Sequence, residues 1–273
     1  MVDDLRRGAE RIGERLETAR DAAVGRASAA REAAVEKAGT ARDAAVEKAG
    51  AAREAASDAI AAVKPKLRGV SHEWAFFVSL FLGAALIIAA RTEKATLAVS
   101  IYAVSLSALF GTSALYHRVN WTRSDMRLLM RRLDHSMIFF LIAGTYTPFA
   151  LLVLHGPLAS AILVVVWIGA VAGAVVEMIW IDHPKWVAAL IYMSLGWVAA
   201  VAFPELWNSM GVAGTLLVAA GGLLYTAGAV VYATQRPDPN PRVFGYHEVF
   251  HLFVILAAAA HFAAVAFFAL PAS

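Results

Sequence analysis

The stretch YHEVFHLFVILAAAAHFAAVAFFAL, residues 246–270, decides how the rest of the chain is read. After Glu248 it holds no formally charged residue, and a bilayer is crossed by about 20 apolar residues in an α-helix. At its start, His247 and His251 lie four apart, one above the other on the same helix face. Two imidazoles so placed can share one metal ion. A catalytic zinc usually takes three protein ligands and a water, so a third ligand is expected elsewhere.

Working outward, six more apolar runs precede it, at roughly 74–90, 95–117, 134–154, 158–181, 186–203 and 212–233. The hydrophobic fraction, 60%, is too high for an ordinary soluble domain. The expectation is an all-α fold, a seven-transmembrane helical bundle over 69–273. Trp74, Trp121, Trp180, Trp186 and Trp207 fall at or just beyond run ends, as an interfacial aromatic belt requires. Gly169 and Gly173 form a GxxxG pair suited to close helix packing, and Pro148 is expected to kink the third helix. There is no cysteine, which excludes disulfides and thiolate metal sites and leaves His, Asp and Glu as ligands.

Charge is concentrated before the first run. Residues 1–68 hold 14 of the 24 Lys and Arg and 12 of the 21 Asp and Glu. Within them, an 11-residue unit recurs from Ala19, Ala30, Ala41 and Ala52. That period, about 3.67 residues per turn, returns each repeat to nearly the same face of a straight helix. Alanine, Arg, Glu and Lys favour the helix, whereas Gly39 and Gly50 weaken it by roughly 1 kcal/mol each. The apolar face is mostly alanine. Residues 1–68 are therefore expected to form a cytoplasmic arm, helical or disordered, that is solvated or contacts a lipid surface or another protein. The first residues lack the apolar core of a signal peptide, so the first membrane helix is expected to direct insertion. Nothing in the charge pattern indicates a nucleic-acid partner.

Loop charge orients the bundle. With the N-terminus inside, eleven Lys and Arg of the connecting segments lie on the cytoplasmic side and only Arg91 and Lys94 outside. The expectation is a multi-pass protein of the plasma (inner) membrane, N-terminus cytoplasmic and C-terminus outside. The second helix then ends at the inner leaflet with Ser113-Ala114-Leu115-Tyr116-His117. The third starts there with Leu133-Asp134-His135, and the seventh with His247. Polar groups at one depth in a bilayer are costly unless they satisfy one another. His117, His247 and His251 are thus the expected metal ligands. Asp134 would handle a proton, hold a water or orient a histidine; its alternative is an ion pair with Arg131 or Arg132. Ser113, i−4 from His117 and on the same helix face, would bond to the site or polarise a substrate carbonyl. His72, His155 and His183 read as ordinary edge or loop residues, His135 as packing around the site, Glu177 as structural, and Glu248 as pointing away from the histidine pair. His261 could face the same interior but lies too far along the helix to be a ligand.

Three stretches resemble the haemolysin III family, the bacterial branch of the progestin and adiponectin receptor (PAQR) superfamily. They are Ser113-Ala114-Leu115-Tyr116-His117, Asp134-His135-Ser136 running on to Gly144-Thr145-Tyr146-Thr147-Pro148-Phe149, and His247-Glu248-Val249-Phe250-His251. The resemblance implies Zn2+ on His117, His247 and His251, with Asp134 and Ser113 beside it. It also implies ceramidase-like hydrolysis of a lipid amide or ester. The repeat arm departs from the family's short N-terminus. The competing readings are a haemolysin-like pore-forming protein and a lipid-sensing receptor, both with structural zinc.

Overall fold

The computed structural model describes residues 31, 35–46, 48–50 and 65–272. The chain divides into two compact units, Met1–Val63 and Lys64–Ser273. In the first, residues 35–46 and 48–50 are helical and exposed, and Thr40 Oγ1 donates back to the Lys37 carbonyl at 3.0 Å. The remainder of the repeats lies outside the described residues.

The second unit is helical. Its elements are α1 (Val70–Ala89), α2 (Glu93–Arg118), α3 (Ser124–Leu152), α4 (Gly156–Ile179), α5 (Lys185–Gly196), a 3-10 stretch Trp197–Ala202, α6 (Phe203–Thr234) and α7 (Tyr246–Ala264). Among the described residues the nearest approach to a strand is one isolated bridge, Asn240 with Phe244. Helix starts follow local chemistry. Thr92 caps α2 by accepting from Ala95 N at 3.1 Å, and α4 opens on Gly156-Pro157, where a missing N–H costs nothing.

Among the described residues, six stretches are long and apolar enough to cross a membrane, with Lys185–Thr234 counted as one of 50 residues. That stretch is not straight. Gly211 sits at φ 67° and ψ −175°, a conformation open to glycine, and interrupts α6. Trp197 Nε1 reaches Thr226 Oγ1 at 3.1 Å, whereas a continuous helix would hold the two about 43 Å apart. The chain therefore runs antiparallel on either side of Gly211. The 3-10 stretch is stabilised by Tyr146, whose hydroxyl donates to the Gly196 carbonyl at 2.5 Å and accepts from Ala199 N at 2.6 Å.

The outer surface carries the apolar load. Phe81 is 76% exposed, Ile88 84% and Ile179 75%, an arrangement that suits lipid and would drive a water-soluble domain to aggregate. The chain is a multi-pass membrane protein. Between helices, small residues permit close approach: Gly173 faces the Phe139 ring and Gly169 faces Leu195, so the GxxxG pair packs α4 against its neighbours.

The third helix departs from the expected bounds. It begins at Ser124, ten residues before Asp134, and continues through Pro148 to Leu152. With Arg123, Arg127, Arg131 and Arg132, that segment reads as a loop in the sequence. Long basic side chains can instead carry their charges to the membrane surface while the backbone stays helical. Arg131 does so by pairing with Asp182 at 3.0 Å, so it is not the partner of Asp134.

Candidate metal centre

Three helices bring the site together. His117 is the penultimate residue of α2, Asp134 lies in α3, and His247 and His251 occupy the first two turns of α7. The start of α7 is set by Glu248, whose Oε2 accepts from Gly245 N at 2.7 Å. A cap of this kind stabilises a helix start by about 1 kcal/mol and fixes the register of His247 and His251. Glu248 accordingly points away from the histidines.

Each histidine offers a ring nitrogen, and the three atoms lie within 4.8 Å of one another. His117 Nε2 and His247 Nε2 are 3.1 Å apart, and Asp134 Oδ2 lies 3.6 Å from His117 Nε2. All four residues are buried. His251 Nδ1 is buried and has no hydrogen-bond partner among the described residues. Converging imidazole nitrogens beside a carboxylate, shut away from water, fit a divalent cation of borderline softness.

Ser113, one turn before His117, does not bond to the triad directly. Its Oγ lies 2.8 Å from Nδ1 of His72, which sits in the first turn of α1. The His72 ring is stacked on His251, with centroids 3.7 Å apart and planes at 10°. His72 is therefore part of the site and not an ordinary edge residue. The signal was present in the sequence: the argument from shared depth that groups His117, Asp134 and His247 applies equally to His72.

A second buried cluster forms around Glu177. Glu177 Oε1 accepts from Tyr192 OH at 2.9 Å and lies 3.0 Å from His183 Nε2, while its Oε2 lies 3.4 Å from His135 Nδ1. Glu177 is 1% exposed. His183 thus belongs to the interior and not to an ordinary loop. His155, by contrast, is an exposed residue paired with Glu205 at 3.3 Å. Lys185 Nζ donates to Tyr246 OH at 2.6 Å and lies 5.5 Å from the centre of the Tyr232 ring, which is 6.3 Å from that of His135.

The triad opens onto a cavity of about 130 Å³ lined by His72, Ser113, Asp134, His247 and His251 at one end and by His261, Tyr225 and Trp197 further in, with Leu109, Ile138 and Val254 between. A second cavity, sharing Tyr146, Trp197 and His261, continues among apolar side chains to Leu154 and Leu206.

These features define a helical membrane protein with a buried trihistidine–aspartate cluster at one end of an apolar cavity. The sequence profile described as haemolysin-III related matches residues 60–262, and the chain belongs to that family. It is 34% identical over 180 residues to hemolysin-3 of Bacillus cereus, covering 66% of this chain and 78% of the relative. To the hemolysin-3 homolog of Bacillus subtilis (strain 168) it is 33% identical, covering 62% and 76%. It is also 32% identical to the human monocyte to macrophage differentiation factor, covering 60% and 67%.

Proposed function

We propose that this protein is a zinc-dependent hydrolase of a lipid amide or ester that works near the inner leaflet of the plasma membrane. The observation that carries the reading is that His247, His251 and Asp134, with His117 beside them, lie at one end of a cavity whose wall is mostly apolar and includes Leu109, Ile138, Leu141, Ile142 and Val254. A lipid chain fits such a cavity, and its carbonyl would then lie beside the polar cluster. Zinc on the three histidines would supply Lewis acidity and lower the pKa of a water to about 7.

The chain's own residues have separate tasks. Asp134 Oδ2 accepts and holds a proton beside His117. Ser113 donates its O–H to the substrate carbonyl only if His72 Nδ1–H donates to Ser113 Oγ, which makes His72 the residue that sets the serine's direction. The bundle is read as seven spans, because the fold-back at Gly211 divides Lys185–Thr234 into two. The basic loop residues support a cytoplasmic N-terminus and an outer C-terminus.

One observation favours a lipid-sensing role as the second reading. Segment 65–69, which leads out of the arm, is tied to the segment just before α7 by Lys66 N to Arg242 O and Leu67 N to Val243 O, each at 3.1 Å. A change at the site would reach the arm by this route. The apolar lining of the second cavity is unsuited to a water-filled pore.

The test is zinc content of the purified full chain by mass spectrometry, followed by lipid amide and ester turnover. The expected result is about one zinc per chain, lost in His117→Ala and His251→Ala, with turnover abolished in Asp134→Asn while zinc is kept. A parent protein without zinc after chelator-free purification overturns the reading. Zinc without turnover of any lipid amide or ester moves the assignment to sensing.

A further inference from the structure

Deep in the bundle, away from the triad, three buried polar atoms have no hydrogen-bond partner among the described residues: the hydroxyls of Tyr102 and Tyr225 and Nδ1 of His261. Buried polar atoms are nearly always paired, and in a membrane interior an unpaired one costs more than in water. Three in one neighbourhood point to a group that they receive. The Tyr225 and His261 rings are 5.6 Å apart, and both line the cavity whose other end holds the triad. Tyr102, 1% exposed, packs with its ring centre 6.5 Å from that of Phe262, the residue that follows His261 on α7.

Local geometry assigns the chemistry. His261 Nε2 lies 3.1 Å from the Val218 carbonyl, which can only accept, so Nε2 carries the hydrogen and Nδ1 presents a lone pair. Gly221 makes this possible, because a Cβ there would come within 2.3 Å of the His261 ring. The site therefore offers one acceptor and two hydroxyls that donate or accept. A hydroxyl group, both donor and acceptor, fits it.

Depth assigns the carrier. His261 follows His251 by ten residues on α7, about 15 Å along the axis. An extended carbon chain advances about 1.25 Å per bond, given bonds of about 1.5 Å at tetrahedral angles. The interval is then about 12 bonds. We propose that Tyr102, Tyr225 and His261 form a subsite for a hydroxyl carried in mid-chain by a single-chain lipid whose head lies at the triad. The placement of the head rests on the function proposed above.

Equilibrium binding of 12-hydroxystearic acid and stearic acid to the full chain in lipid nanodiscs tests the subsite without requiring turnover. The expected result is about three- to tenfold tighter binding of the hydroxylated chain, the worth of a net hydrogen bond. Tyr225→Phe and Tyr102→Phe should each reduce that preference while leaving stearic acid binding unchanged. Equal binding of the two acids overturns the subsite and leaves the hydrolase reading standing. A preference that persists in both variants overturns the assignment to these residues. Binding of neither acid removes the lipid-filled cavity, and the subsite with it.

Discussion

The imidazole of His72 lies flat against that of His251, 3.7 Å between centroids, while its Nδ1 lies 2.8 Å from Ser113 Oγ. One side chain thus fixes both a ring of the triad and the hydroxyl beside it. Groups that orient metal ligands typically change metal affinity about 10- to 100-fold when removed. His72→Ala is expected to weaken zinc binding about tenfold, read by competition with a chelating dye. His72→Phe restores a flat ring but no polar nitrogen, so it should recover most of the zinc affinity and none of the serine's orientation. Equal zinc affinity in the parent and the alanine variant would show that the stack does not position His251.

Gly69, immediately before α1, has φ 79°, and a Cβ built there falls 2.6 Å from His117 Cβ. Alanine at this position meets both backbone strain and His117, a member of the histidine triad. Gly156 separates the two effects, because it has φ 60° with nothing within 4 Å of its notional Cβ. Gly156→Ala is expected to cost about 1–2 kcal/mol of stability with zinc affinity unchanged. Gly69→Ala should cost more and also weaken zinc binding, because His117 must shift. Thermal melts with and without a chelator read both, and intact zinc affinity in Gly69→Ala would rule out the contact with His117.

How far the sequence reveals this molecule depends on whether periodicity or burial carries the signal. His247 and His251 are legible because four-residue spacing has one meaning on a helix, and His117 and Asp134 because loop charge sets their depth. The start of α3 at Ser124 is hidden by four arginines, whose long side chains reach the surface from a helical backbone. Pro204, Glu205 and Asn208 suggest a break after residue 203, yet the helix persists to the glycine at 211, since proline is tolerated in a first turn. Glu177 reads as structural and His183 as an ordinary loop residue; that they share one buried cluster emerges only when α3 and α5 close over them, a tertiary fact that no local pattern contains.

The carboxylate of Glu177 holds three partners, from α3, α5 and the segment between α4 and α5. Its removal leaves Tyr192, His135 and His183 without their shared acceptor inside the bundle. Glu177→Ala is expected to destabilise the protein by about 2–4 kcal/mol, since each buried donor left unpaired costs about 1–3 kcal/mol and partial relaxation offsets some of that. Glu177→Gln keeps one acceptor oxygen and should cost less. Zinc content should survive in both, because Glu177 does not touch the triad. Denaturation in mild detergent measures the first effect and metal analysis the second; loss of zinc in Glu177→Gln would tie this cluster to the metal centre.

Arg68 Nε lies 2.5 Å from Glu248 Oε1, with the carboxylate side chain 2% exposed and the guanidinium side chain 22%. The same carboxylate caps α7 through its other oxygen. Removing the arginine leaves a buried charge whose remaining partner is the Gly245 N–H. Removing the glutamate leaves a partly solvated arginine and an uncapped helix. Breaking a buried pair from one side costs roughly 3–5 kcal/mol, and the partial exposure of Arg68 places this pair at or below the lower end. Arg68→Ala and Glu248→Ala should therefore each lower the melting temperature. The double variant should be less destabilised than the sum of the two, with a coupling of about 1–3 kcal/mol. Because His247 precedes Glu248 directly and segment 65–69 pairs with Arg242 and Val243, both single variants should also speed zinc release to a chelator. Additive melts with unchanged release rates would mean that Arg68 and Glu248 act independently and that the segment leading from the arm does not hold the metal end of α7.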